Sequence, residues 1–343
     1  MKKLWNTLYV LSEDAYLSLD GETVVIQRPE EADKHFPLHT LENILCFSYK
    51  GASPALMGKC SRMGIGLSFF TPRGQFLTRC WGENNGNVLL RKEQYRRSDN
   101  QAESCRIAKQ MISGKVYNGR WVLLRGIRDH ALRLDVSKVQ HSADLLKISL
   151  EQIPNCPSLE RLRGLEGEAA AIYFGVLDSL ILQNRDTFFF RERSRRPPRD
   201  AFNALLSFVY SLLANLCASA LEGAGLDSYV GFLHRDRPGR ASLALDLMEE
   251  LRPVLGDRFA LTLINHRLIR PEHFDFRENG SVLLNDLGRR VLLNAWQERK
   301  RETLTHPFLG EKLSWGLVPH IQALLLARYL RGDLDAYPPF LWK

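Results

Sequence analysis

No two of the six cysteines, at positions 46, 60, 80, 105, 156 and 217, form a CxxC pair, and they are scattered along the chain. That spacing excludes a zinc ribbon and a dense disulfide framework, and it favours free thiols in a reducing compartment. Internal repeats and low-complexity tracts are also missing. The opening residues, MKKLWNTLYVLSED, contain two lysines but no unbroken apolar stretch and no small-residue cleavage site. No signal peptide is therefore expected, and the cytoplasm is the expected location. Only one long run is free of charge, AFNALLSFVYSLLANLCASAL at 201–221. Within it Asn203, Ser207, Ser211, Asn215 and Ser219 recur every fourth residue, a polar stripe along one helix face. That pattern fits a core helix of a soluble protein and not a membrane span.

What remains is an ordinary globular composition with an unusual charge balance. Apolar residues make up 45% and charged residues 25% of 343 positions, enough chain for two domains each with its own core. Lysine and arginine number 47 against 39 acids, a net charge of +8. Such an excess favours a polyanionic partner, nucleic acid first and a membrane surface second, and says nothing about fold.

Up to about residue 90 the signals are those of strands. TLYVL, AYLSL and TVVIQ follow in order, the last two joined by Asp20-Gly21, which supplies the positive φ of a hairpin turn. GIGLSFF (64–70) and QFLTRCW (75–81) predict a second strand pair around a turn at Pro72–Gly74, and SPALMGKCSRMG (53–64) a short helix closed by Gly64. Beyond residue 100 long helical periods take over, predicting helices over 101–116, 142–152, 157–182, 201–222, 242–252, 280–300 and 317–331. The expected class is α+β: a small β-rich domain over 1–95, a polar linker at 96–104 (RRSDNQAES), and a larger all-α domain over 105–343. Two loops, RERSRRPPRD (191–200) and GFLHRDRPGR (231–240), are arginine-rich and broken by proline.

The apolar stripe Leu159, Leu162, Ala169, Tyr173, Val176, Leu180 has Glu166 at the position that fills its gap. An inward carboxylate is unfavourable unless paired, hydrogen-bonded or bound to a cation. Two readings fit: an ion pair with an arginine of a neighbouring helix, or a functional acid. Glu160 and Glu168 point elsewhere, to solvent. Further on, Ser242 is a plausible N-cap for a helix ended by Pro253, with Leu243, Leu247 and Leu251 on its core face. Asp246 and Glu249, three apart, share another face, and His234 precedes them in the loop. One histidine with two or three carboxylates is a hard, oxygen-rich set suited to Mg²⁺ or Mn²⁺. Taken singly, each of these residues is also what an ordinary surface carries.

GLEGEAAAIYF, PPRDAFNALLSFVYSLL and GFLHRDRPGRASLALDLMEELRP, in that order, resemble the CRISPR-associated integrase-endonuclease of spacer acquisition. FPLHTLENILCF, GNVLLRKEQY and IQALLLARYLRGDLDAYPPF extend the likeness over nearly the whole chain, most strongly toward the subtype I-C branch. The resemblance implies a β-rich N-terminal domain and a helical catalytic domain. It implies metal ligation by Glu166, His234 and Glu249, with Asp246 as an auxiliary acid. Glutamate stands at 249 where some members have aspartate, a longer reach to the metal. The implied reaction is attack of a terminal DNA hydroxyl on the phosphodiester at a repeat boundary of a CRISPR array, with Mg²⁺ or Mn²⁺ as cofactor. The implied partners are double-stranded DNA, a second copy of the chain and the small second acquisition protein, in a prokaryotic cytoplasm. Arg191, Arg193, Arg195, Arg196 and Arg199, with Arg235 and Arg237, are the expected phosphate contacts, against the alternative of solvated mobile loops. Two rival functions stay open: a non-catalytic DNA-binding protein whose acids are structural, and a metal-free hydrolase using Glu166 and Glu249 as an acid–base pair.

Overall fold

The computed structural model describes residues 6–72, 76–80 and 87–343. Its chain divides into two compact units, Met1–Gly86 with Leu284–Glu302, and Asn87–Leu283 with Thr303–Lys343.

In the first unit, β1 (Asn6–Val10), β5 (Leu41–Cys46), β6 (Gly66–Phe70) and β7 (Phe76–Cys80) form one sheet in the order β1-β5-β6-β7. β5 pairs in parallel with both β1 and β6, and β6 pairs antiparallel with β7. A second sheet is the antiparallel meander of β2 (Tyr16–Asp20), β3 (Thr23–Gln27) and β4 (Lys34–Pro37). The expected Asp20-Gly21 hairpin is present, with Asp20 opposite Thr23. Between β5 and β6 lies α1 (Pro54–Met63), capped by Ser53 and stopped by Gly64 as its sequence predicts. Leu17, Val24, Ile44, Leu56, Leu67 and Phe69 knit both sheets and α1 into one core. Residues 73 and 74 of the turn expected at Pro72–Gly74, and the outer residues of QFLTRCW, lie outside the described residues. β4 and β5 are not among the expected strands, because LENILC interleaves Glu42 and Asn43 with its apolar residues and lacks clean alternation.

The second unit is largely helical: α2 (Val88–Asp99), α3 (Gln101–His130), α4 (Val136–Gln152), α5 (Leu159–Leu177), α6 (Ala201–Gly223), α7 (Ser242–Leu251) and α8 (Arg258–Asn265). Two small hairpins, β8 (Phe274–Phe276) with β9 (Val282–Leu284) and β10 (Thr303–Thr305) with β11 (Lys312–Ser314), precede α10 (Val318–Arg331). The long helix α3 packs against α4, α5 and α7, so it is the post on which the site is built. α6 is long and apolar enough to cross a membrane by composition, yet it is mostly buried, packed against α7 and α10.

Three boundaries differ from expectation. Residues 96–104 are not a linker but the end of α2 and the start of α3. Asn100 is the N-cap between them, accepting from the N–H groups of Ala102 and Glu103. A polar cluster is as much the composition of a cap as of a linker. The helix α9 (Asp286–Arg301), expected with the helical domain, returns to the first unit. There the Lys300 ammonium donates to Thr7 Oγ1 at 2.8 Å, and burial lowers its pKa to about 8. Finally, Pro253 does not end the helical path. Arg252–Asp257 form a π-helical turn that continues into α8, a wider winding that accommodates proline's missing N–H. Ser242 opens α7 without capping it; its hydroxyl donates to the carbonyl of Arg235.

Candidate active site

The segment 231–253 folds on one carboxylate. Asp246, fully buried on α7, accepts from the backbone N–H groups of Phe232 (2.6 Å), Leu233 (2.9 Å) and His234 (3.0 Å). Its Oδ1 also lies 2.6 Å from Nδ1 of His234. A carboxylate only accepts, so Nδ1 carries a proton, and in the neutral imidazole the lone pair is then the one on Nε2. Nε2 lies 4.0 Å from Glu249 Oε1, one turn further along α7. Gly231 is required here: a Cβ would stand 2.8 Å from Asp246 Oδ2. Leu243, Leu247 and Leu251 are fully buried on the opposite side, as their spacing predicts.

Glu249, 3% exposed, faces two cations. Arg252 Nη2 stands 2.8 Å from its Oε1 and the Lys115 ammonium 2.8 Å from its Oε2. Burial pushes this carboxyl upward, but Arg252, Lys115 and His234 outweigh it and hold the pKa at about 2. Lys115, on α3, pairs at the same time with Glu166 on α5, whose side chain is 27% exposed. The inward acid of α5 thus meets a lysine, where an arginine or a metal was expected; Glu160 and Glu168 are exposed as expected. Among the described residues no group of three or more His, Cys, Asp or Glu side chains stands in metal-holding arrangement. Glu249 is brought to His234, and Glu166 and Glu249 to one ammonium, without all three meeting at a point. Two carboxylates facing each other repel, and Lys115 supplies the charge that lets them converge.

The donor set nevertheless suits a hard divalent cation. Glu249 Oε2 is buried and has no aligned hydrogen bond, its contact with Lys115 being an ion pair outside hydrogen-bond angles. A second carboxylate faces the same cation, and an imidazole nitrogen with a fixed lone pair stands beside them.

The family profile for "CRISPR associated protein Cas1" matches residues 8–298. The chain belongs to the Cas1 family. A "CRISPR-associated endonuclease Cas1 1" of Chlorobaculum tepidum is 46% identical over 343 residues, all of either chain. Among solved structures, a "Casposase bound to integration product" superposes with a TM-score of 0.84 at 22% identity, covering 98% of this chain and 94% of its own. A "Cas6-RT-Cas1--Cas2 complex" gives 0.82 at 21% identity, covering all of this chain and 36% of that longer one. These two likenesses concern the fold.

Against the residues expected of a Cas1, the structure brings Asp246, His234 and Glu249 together, with Glu166 joined to them through Lys115. Of the arginines expected to contact phosphate, Arg191, Arg195, Arg196, Arg199, Arg235 and Arg237 are exposed. Arg193 is not such a contact. It folds inward onto the polar stripe of α6, donating to Asn203 Oδ1 (2.7 Å) and Ser207 Oγ (3.1 Å) and lying over the Tyr210 ring. Four further residues escape sequence reasoning: Lys115, Arg252, Asp257 and Tyr210. Arg252 follows Glu249 at i+3, a visible pair; Lys115 sits in an unremarkable helical stretch. Tyr210 donates to Asp257, which burial raises to about 6 even though Tyr210 and Arg252 oppose the shift. A cleft lined by Lys115, Glu166, Ala169, Tyr173, Arg252 and Asp257 opens beside the two carboxylates.

Proposed function

We propose that this Cas1-family chain is a divalent-metal-dependent DNA endonuclease and integrase that inserts DNA fragments into a CRISPR array, as a member of the subtype I-C branch. The observation that carries the reading is the convergence of Glu166 and Glu249 on one partly buried cation, the Lys115 ammonium, beside a histidine oriented by Asp246. Glu166, Glu249 and Nε2 of His234 would hold Mg²⁺ or Mn²⁺, which when bound supplies charge to phosphoryl oxygens and lowers the pKa of an attacking hydroxyl. Asp246 keeps the proton on Nδ1 and so keeps Nε2 available. Arg252 and Lys115 add fixed positive charge beside the position a phosphodiester would take. In the joining step a terminal DNA hydroxyl loses its proton and forms a bond to phosphorus. The bond from phosphorus to the leaving sugar oxygen breaks, so one phosphodiester replaces another; with water as the attacking group the strand is cut. The relatives named as an endonuclease, as bound to an integration product and as part of a complex with Cas2 support double-stranded DNA and the small second acquisition protein as partners. A homodimer and a prokaryotic cytoplasmic location belong to the same reading. The exposed arginines of loops 191–200 and 231–240, Arg193 apart, are proposed phosphate contacts.

One observation favours a second reading. Lys115 satisfies both acids, as it would in a DNA-binding protein whose carboxylates are structural. In the metal-free acid–base hydrolase Glu249, held at about 2, would have to be the base and Glu166 the acid. Incubation with branched and duplex DNA in Mn²⁺, Mg²⁺ or EDTA separates the three. Cleavage or joining should vanish with EDTA and with Glu166→Ala while DNA binding persists. Activity surviving EDTA would support the hydrolase, and binding without any cleavage the structural reading.

A further inference from the structure

Beside Glu249 on α7 stands a second buried carboxylate that faces away from the metal-facing set. Glu250 accepts from the hydroxyl of Tyr337, from the N–H of Phe340 (2.8 Å) and from Gln322 Nε2 (3.0 Å). Asn118, buried on α3, closes the same knot. Its Nδ2 donates to the carbonyls of Glu250 and Phe340, both at 2.7 Å, and its Oδ1 accepts from the N–H of Trp342 (2.8 Å). Trp342 in turn lies under the Arg125 guanidinium, 3.8 Å from ring centre to Cζ. α7 approaches α3 closely at Gly114, where a Cβ would stand 2.9 Å from Glu250 Cβ and 3.3 Å from Pro339 Cβ. One extended segment, 337–342, is therefore tied to both helices at their contact, one residue away from Glu249.

Packing alone does not call for this arrangement. A well-packed apolar residue at 250 would bury as readily, without the desolvation of a carboxylate. What a fully satisfied polar knot adds is geometry, because its bonds form only at one rotation and one height of the helix. Glu249, the preceding residue and about 100° round α7, reaches Lys115 and His234, so a slip at residue 250 displaces it directly.

We propose that residues 337–342 are a positioning element of the catalytic site. They fix α7 on α3 through Glu250, and so set where Glu249 meets Glu166 and His234. Glu250 and Tyr337 are positioning residues; neither touches substrate. The consequence for catalysis rests on the functional reading above, whereas the consequence for α7 does not.

Tyr337→Phe removes one donor and keeps the ring, and Glu250→Gln keeps the shape; both are gentler than deleting the segment. Amide hydrogen exchange in the metal-free protein should show α7 exchanging about tenfold faster in each variant, with α4 unchanged. Mn²⁺ binding followed by electron paramagnetic resonance should weaken several-fold. For strand joining, kcat should fall by about 10- to 100-fold with KM for DNA unchanged, the effect of a displaced ligand. Unchanged α7 exchange in both variants overturns the proposal whatever the activity. Faster exchange with wild-type Mn²⁺ affinity and kcat also overturns it, since the knot would then only stabilise. If the wild type neither binds Mn²⁺ nor joins DNA, the functional reading fails by itself, and the exchange experiment still decides whether the segment holds α7.

Discussion

Four hydrogen-bond donors share the Asp246 carboxylate, three of them consecutive backbone N–H groups and the fourth an imidazole. Asp246→Asn replaces one acceptor oxygen by a donor that faces N–H groups. It should reduce metal-supported joining by about 10- to 100-fold, the usual loss when a partner orienting a metal-bound histidine is removed. Isothermal titration with Mn²⁺ beside joining kinetics checks this, and equal Mn²⁺ affinity in both proteins would contradict it. Asp257 carries a pH dependence of the opposite sense to Glu249. Its folded pKa, about 6, lies above the ordinary 3.8, so the folded protein holds that proton more tightly than the unfolded chain. The stability it contributes is complete below about 3.8 and lost as pH rises through about 6. Glu249, held at about 2, contributes above its ordinary 4.5 and loses that contribution on acidification. In Asp257→Asn, which still accepts from Tyr210, melting temperature against pH should be flatter than wild type over that window. An identical profile would show that Asp257 does not titrate there. Legibility follows the same physics at this scale. His234, Asp246 and Glu249 could be read because a loop and a helix bring them together within twenty residues. Lys115 could not, since nothing in GKVYNG tells that its ammonium crosses to two acids more than fifty residues away.

Among the elements, the contact of α7 with α3 matters most, and Gly114 is a point where it leaves no room for a side chain. Gly114→Ala would force a methyl group within 2.9 Å of Glu250 Cβ, and the helices must part to admit it. Overpacking of this kind costs about 1–3 kcal/mol, outweighing alanine's better helix propensity. Chemical denaturation should show a lower midpoint at unchanged slope; a stabilised variant would mean that the helices yield freely. Helix α7 itself was visible as a run with leucines at 243, 247 and 251. Its continuation was not, because a proline at 253 ordinarily stops an α-helix and the sequence has no mark for a π turn. In the same way β5 hides behind Glu42 and Asn43, whereas β2 and β3 announce themselves by Asp20-Gly21.

For the whole molecule, the boundary at residue 95 is the reading that the structure revises most. The first unit takes back α9 after almost two hundred residues of helical chain, and Leu292, Leu293 and Trp296 of that helix are buried. A fragment ending at residue 95 should therefore lack cooperative unfolding by circular dichroism, where the sequence promises an autonomous domain. A cooperative transition in that fragment would show α9 to be dispensable. The helix Ala201–Gly223 has a different consequence, one that arises before the protein is complete. The two helices packed most extensively against it, α7 and α10, both follow it in the chain, while Phe190 and Arg193 reach it from the preceding segment. On the ribosome this apolar segment emerges before either of those helices exists, and its face toward them is surface that favours aggregation of a nascent chain until α10 has been synthesised.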